Sequence, residues 1–418
     1  MDSSVSQPLS PNAKYHFKNE YDDYTENNAK PHIENHTVSA TTKITSKLIK
    51  KWESTLDEVE NWTSTDSTVY TGTAGVGLLF FRKAPNDTQN LRNIRKKYLQ
   101  LEQLKNRRIT FLCGDAGPLS LAAVISYKLE DKKIFDFCIR KLMAFVKVVK
   151  STEGELPNEY LYGRAGFLFA LLYVNKHVSP PPFAESVIRS IVSAILFSGQ
   201  KTAKNLKMDK DWPLMFEWHS SKYLGAAHGL SGIIYLLLQA RQYLTEEELT
   251  TIIKPTIASL SKTRFPTGNF PSSIGAGKDK YVQWCHGAPG FLYMYCEAYR
   301  AFGDTHYLYA AEKCADVIWF RGIVKKGYSL CHGVAGNAYC FLEMFQTTKH
   351  EAMRPTVWKV VYADVPTQKL LTSEVTQVNN DNGSFFFKPS AYQGTCRATL
   401  LSGYGSENVH PSIFEFRR

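Results

Sequence analysis

Apolar and polar positions recur along this chain with a helical period. Ile44, Leu48, Trp52, Leu56 and Val59 fall three and four residues apart, which predicts an amphipathic helix over residues 41–60. From about residue 70 a second pattern takes over. Six times, a pair of glycines spaced G-x-x-G opens an apolar run: Gly72/Gly75, Gly114/Gly117, Gly163/Gly166, Gly229/Gly232, Gly287/Gly290 and Gly333/Gly336. The residues just ahead of these pairs are Thr71, Cys113, Tyr162, His228, His286 and His332.

Glycine before a helix lets the backbone turn tightly and approach a neighbour closely. The nearly all-apolar helix that follows, Phe167 to Val174 for example, must be buried on most sides. Amphipathic stretches such as Phe135 to Val149 and Glu185 to Leu196 lie between the glycine motifs. Each repeat is thus roughly 45–65 residues holding one inner, apolar helix and one outer, amphipathic helix. Helix pairs of this kind stack as an open solenoid or close into a ring, and a ring brings all the glycine loops to one end. Pro180-Pro181-Pro182 and Gly275-Ala276-Gly277 read as connecting loops.

The two ends differ from the middle. Residues 1–40 are polar and aperiodic and read as a flexible arm, with Tyr21-Asp22-Asp23-Tyr24 as a short aromatic-acidic stretch. The repeat-bearing domain is read as 41–350. Residues 351–418 form a divergent C-terminal segment in which no seventh G-x-x-G is recognisable. There Asn379 to Gly383 reads as a turn, and Phe385-Phe386-Phe387 as a short strand or buried plug.

Composition agrees with a core-forming chain: 418 residues, 44% hydrophobic and 21% charged. Lys plus Arg exceeds Asp plus Glu by 50 to 39, and no run of five basic residues occurs, so the excess of +11 singles out no partner. A nucleic-acid role would rest on net charge alone and is not expected. Eight cysteines lie in or beside apolar segments and do not form a disulfide framework. No signal-peptide pattern, transmembrane-length run or N-myristoylation site (Asp2 follows Met1) is visible, so the four N-glycosylation sequons at Asn35, Asn61, Asn86 and Asn382 are expected to be unused. The expected location is cytoplasmic.

The candidate chemistry sits in the last two glycine loops, which share a core: Trp284-Cys285-His286-Gly287 and Leu330-Cys331-His332-Gly333. Thiolate and imidazole are ligands that zinc prefers, and two Cys with one His fill three tetrahedral positions and leave one open, the mark of a catalytic site. A thiol bound there is held as thiolate. One Cys-His dipeptide by an apolar helix is ordinarily core packing; its recurrence at the same place in two repeats favours a metal. Cys138, Cys296, Cys314, Cys340 and Cys396 read as buried or incidental thiols. Cys113 sits at a repeat loop and reads as another incidental thiol, the alternative being that it lines the same opening.

The tandem glycine loops and the two Cys-His-Gly motifs resemble the lanthionine synthetase C-like proteins of eukaryotes and the bacterial lanthionine cyclases. The resemblance covers about three-quarters of the chain, from about residue 40 to about residue 350. It is carried by Ala227 to Gly232, Trp284 to Gly287 and Lys326 to Gly333. It implies an all-α fold, an α/α toroid of inner and outer helices with zinc at one end. It also implies Cys285, Cys331 and His332 as the zinc ligands, with His286 outside the set, although spacing alone does not exclude it. By the same resemblance His228 is the acid/base, the alternative being a buried structural imidazole. Lys326 would contact glutathione, the alternative being a solvated lysine beside Lys325. The implied reaction is zinc-dependent addition of the glutathione thiol to dehydroalanine or dehydrobutyrine residues in proteins or peptides.

The family's usual seventh repeat carries further glutathione contacts. Here only Pro411 to Phe416 echoes its ending, which bears on glutathione binding and on closure of the ring. A second reading is therefore a non-catalytic glutathione- and zinc-binding adaptor with kinase or SH3 partners. Such a protein could contact the plasma membrane peripherally or enter the nucleus. A glycosidase on the same architecture needs paired carboxylates, and the glycine loops offer Asp115 without a matching acid.

Overall fold

A computed structural model of the chain describes residues 14–17, 64–105, 108–154, 156–327 and 329–348. The helix expected over 41–60 and the divergent segment 351–418 lie outside the described residues. The chain divides into two compact units. One holds Thr63–Arg264 with Pro271–Gly277; the other holds Phe265–Phe270 and the described residues from Lys278 onward, with residues 14–17. Among the described residues there is no strand, only isolated bridges.

The first unit is built of helix pairs: α1 (Thr73–Lys83) with α2 (Thr88–Tyr98), α3 (Ala116–Lys128) with α4 (Lys132–Lys150), and α5 (Arg164–His177) with α6 (Glu185–Asn205). In the last pair, α7 (Leu230–Gln239) packs on α8 (Lys254–Ser261), which continues from a turn at Glu246–Glu248 through a π-helical stretch, Leu249–Ile253. Helices α1, α3, α5 and α7 lie side by side. Every residue of α3 from Ala116 to Ser126, and of α5 from Arg164 to Val174, is buried. The partner of α3 buries one stripe, Cys138, Leu142, Val146 and Val149 on α4, and the partner of α1 does the same with Leu91, Ile94 and Tyr98 on α2. A fully apolar helix can only sit beneath another layer, whereas a striped helix keeps its charges in water, so the two sequence patterns sort themselves into two layers.

The second unit repeats the pair with α9 (Ala288–Phe302) and α10 (Thr305–Arg321), and α11 (Val334–Thr348) packs on both. Helix starts divide by layer. The striped helices α2, α4 and α10 are capped by Asp87, Asp131 and Asp304, whose carboxylates accept from backbone N–H groups of the first turn. The buried helices α1, α5, α7 and α9 begin at glycine with no side-chain cap. The reason is space. A Cβ on Gly72, Gly163, Gly229 or Gly287 would stand 2.1–2.5 Å from a backbone atom of the loop, and one on the second glycine of the motif, Gly117, Gly166, Gly232 or Gly336, about 2.0 Å from the carbonyl oxygen of the residue six earlier. The loop backbone lies where a side chain would be.

A buried cation closes one of these loops. Arg164, in the first turn of α5, donates to the carbonyls of Val149 (2.9 Å), Leu156 (2.5 Å) and Ser151 (2.6 Å) and to Asn158 Oδ1 (3.1 Å). It satisfies carbonyls left open at the end of α4.

Candidate functional site

The loop before α9 and the loop before α11 lie together in the second unit. Cys285 Sγ, Cys331 Sγ and a ring nitrogen of His332 fall within 4.8 Å of one another. Cys285 is buried, and the other two are partly exposed. Tetrahedral zinc, with Zn–S of about 2.3 Å and Zn–N of about 2.0 Å, places its donor atoms roughly 3.5–4 Å apart, so this trio fits such an ion. His286 stands outside the trio; its backbone bridges to Gln283 and its ring packs on Tyr281 at 5.7 Å. The Cys331 side chain beside it, and then burial, push the Cys285 thiol well above its ordinary range. Two neighbouring thiols cannot both ionise unless a cation stands between them. Gln283 Nε2 donates to Cys285 Sγ at 3.1 Å, and Cys285 N–H reaches Cys331 O at 3.3 Å.

A braced base carries these loops. Arg321, at the end of α10, makes a two-pronged ion pair with Asp279, Nη1–Oδ2 2.7 Å and Nη2–Oδ1 2.8 Å, with Arg321 buried and Asp279 partly exposed. Burial opposes the charge on Asp279, but hydrogen bonds from Arg321, Thr267 and Asn269 outweigh it and hold the carboxyl below its ordinary range. Asn269 Nδ2 donates to Asp279 Oδ1 (2.6 Å) and Tyr281 O (2.9 Å), and Asn269 Oδ1 accepts from Ala288 N–H (2.8 Å) at the start of α9. Gly287, between Cys285 and α9, has φ +105°, and a Cβ there would stand 2.1 Å from Tyr281 O. That left-handed turn brings the Cys285 loop into α9 and needs glycine. On the other loop, Tyr15 and Phe17 pair with residues 323–325, Phe17 N–H to Ile323 O at 2.8 Å and Lys325 N–H to Tyr15 O at 3.0 Å. Lys326 Nζ lies 5.4 Å from the centre of the Tyr281 ring, and Lys280 Nζ lies 4.7 Å from the same ring. Both cations thus flank the loop that carries Cys285.

His228 belongs to the first unit, at the loop before α7. Its Nδ1 pairs with Glu159 Oε2 at 2.8 Å, and its ring stacks on Tyr162 at 6.2 Å. Glu159 is buried and also accepts from the backbone N–H groups of Leu161 (2.9 Å) and Tyr162 (2.5 Å). The Arg108 guanidinium lies 4.8 Å above Tyr162, and Trp218 packs on the same ring. Trp218 is held by a two-residue turn, His219-Ser220, with both φ values positive. Cys113 shares this neighbourhood. Burial pushes its thiol up to about 12, against a hydrogen bond to Tyr162, so it stays protonated near neutrality. All seven cysteines among the described residues are free thiols.

Sequence patterns had marked His228 and the Cys-His pairs, but not Glu159, Gln283, Asn269, Asp279, Arg321 or Asn337. These polar residues lie in loops or at helix ends, outside any period. The visible signals were an acid just ahead of the Tyr160-Leu161-Tyr162 run and single polar residues inside apolar runs.

Comparison with known proteins gives one answer at three levels. The family profile for lanthionine synthetase C-like protein matches residues 63–404. A Danio rerio protein described as glutathione S-transferase LANCL1 is 38% identical over 340 residues, 80% of this chain and 84% of that one. The LanC-like protein GCL1 of Arabidopsis thaliana is 33% identical over 301 residues, 68% of this chain and 67% of that one. Among solved structures, nisin cyclase superposes with a TM-score of 0.63 at 17% identity, covering 86% of this chain and 94% of that one. The all-helical toroid expected from the resemblance is the fold shared with that cyclase.

Proposed function

This chain belongs to the lanthionine synthetase C-like family, and from that premise we propose that it is a zinc-dependent glutathione transferase acting on dehydroalanine and dehydrobutyrine residues of proteins or peptides. The observation that carries the proposal is the trio of Cys285, Cys331 and His332 with donor atoms within 4.8 Å. The relative described as a glutathione S-transferase supports the thiol donor. Zinc bound by the trio supplies a Lewis acid that holds a thiol as the thiolate at neutral pH.

The residues divide the remaining work. Gln283, donating to Cys285 Sγ, tempers the negative charge of that ligand. Lys326, beside Tyr281, offers an ammonium to a glutathione carboxylate. The glutathione sulfur forms a bond to the β-carbon of the acceptor, and the electron pair of its double bond moves towards the carbonyl. A proton must then reach the α-carbon, a role that the family resemblance gives to His228. With Nδ1 engaged by Glu159, the proton that moves is carried on Nε2. The sum is addition of S–H across the double bond with no redox partner.

The test is zinc content per chain on the parent and on Cys331→Ala, followed by mass spectrometry of a dehydroalanine peptide incubated with glutathione. About one zinc and a glutathione adduct from the parent, with neither from the variant, is the expected result. Zinc without adduct would overturn the transferase reading in favour of a non-catalytic zinc-binding protein, and a folded parent without zinc would sink the proposal.

A further inference from the structure

Two separate loops supply the three candidate ligands, and one buried amide grips both. We propose that Asn337 is the positioning residue that sets the separation of Cys285 from Cys331 and His332; the inference rests on the metal reading of that trio. Asn337 lies in the first turn of α11 and is 2% exposed. Its Nδ2 donates to Val282 O at 2.9 Å, three residues before Cys285. It also donates to Gly322 O at 2.9 Å, at the start of the segment that leads to Cys331. An amide nitrogen has two hydrogens, and here each serves one loop.

The linkage on the other side is covalent and short. Asn337 follows His332 by five residues, and its own N–H donates to Gly333 O at 3.3 Å. The first turn of α11 therefore fixes Asn337 relative to His332, and the side chain transmits that placement to the Cys285 loop. At the ligands themselves the loops touch through the backbone, Cys285 N–H to Cys331 O, at 3.3 Å. That distance is long for an N–H···O bond, whereas both Asn337 bonds sit at the usual optimum. The Arg321–Asp279 pair braces the same two loops further from the metal ligands. Asn337 thus stands between the contact at the ligands and the Arg321–Asp279 pair.

No other side chain of this size does the same. Aspartate would face two carbonyl oxygens with a carboxylate, and alanine would take the side-chain donor from Val282 O while Gly322 O keeps the Val324 N–H at 2.9 Å. Neither change touches a ligand atom.

Asn337→Ala and Asn337→Asp are compared with the parent for zinc affinity, by competition with a chromophoric chelator, and for the ligand-field spectrum after Co2+ substitution. A loss of affinity of about tenfold or more, with weakened tetrahedral cobalt bands, is expected. Asn337→Ser keeps one donor and is read by the same criterion where the other variants do not fold. Asn175→Ala is the control: Asn175 makes a comparable double contact to Phe183, at 2.9 and 3.0 Å, in the first unit. It should lower stability and leave zinc affinity and the cobalt spectrum as they are. Affinity within twofold of the parent and an unchanged cobalt spectrum in a folded Asn337 variant would overturn the inference. A parent that takes up neither ion overturns the metal reading, and this inference with it.

Discussion

A histidine that moves protons needs one nitrogen fixed and the other available. At His228 the fixing partner is Glu159, which is itself held by two backbone N–H groups and cannot swing away. Glu159→Gln keeps the shape but permits the wrong tautomer. It should lower kcat for adduct formation by about 10²-fold while zinc content is unchanged. A variant with parental kcat would remove His228 from the proton transfer. A second histidine has a role in stability. Burial, reinforced by Arg82, Lys176 and Lys128, pushes His177 from 6.5 down to about 4. The folded chain therefore keeps His177 neutral over an interval in which the unfolded chain protonates it. Stability is full above about pH 6.5 and is lost as pH falls towards 4. Between pH 7 and pH 5 the loss should be about 2 kcal/mol. Urea midpoints at those two pH values should converge in His177→Gln; an equal loss in parent and variant would refute the assignment.

At the scale of elements, the recurring unit is a glycine loop feeding a buried helix. Its glycines are required by the backbone packed on them more than by unusual torsion angles. Gly232→Ala would set a methyl 1.9 Å from Ala226 O, backbone that no rotamer change can move. A loss of about 3 kcal/mol or more is expected, within the range of the largest single-residue effects. Gly277→Ala, where nothing lies within 4 Å, should change stability by less than about 0.5 kcal/mol. Denaturant midpoints of the two variants decide whether close approach explains the motif; similar losses would mean it does not. The helices themselves were legible in the sequence. The stripe from Phe135 to Val149 lies in α4 and that from Glu185 to Leu196 in α6. The caps were less so, because Asp87, Asp131 and Asp304 stand among many polar loop residues, and only hydrogen bonds single them out.

Across the whole molecule, three candidate ligands lie in one compact unit and His228 lies in the other. An ion that binds only the folded state stabilises it by mass action, by about 2.7 kcal/mol at a hundred times Kd. Chelation should therefore lower the thermal midpoint of the parent and leave Cys331→Ala unmoved. Amide exchange should rise in the segments 279–287 and 322–337, where Asp279, Arg321 and Asn337 brace the ligand loops, before it rises in α3 or α5. Uniform acceleration along the chain, or no change at all, would contradict a metal held by these loops.

The sequence by itself determined the helical class, the paired layers, the six glycine loops and the Cys-His pairs, because each is written as a period or a repeated motif that local physics must obey. Only the tertiary structure decided that Cys285, Cys331 and His332 meet, that Glu159 holds His228, and that Asn337 and the Arg321–Asp279 pair lash the ligand loops. Those contacts join residues far apart along the chain: 69 positions for His228 and Glu159, and 55 for Asn337 and Val282. No local pattern encodes such a meeting. It is set by how the buried helices stack and by the requirement that each polar group they bury finds a partner.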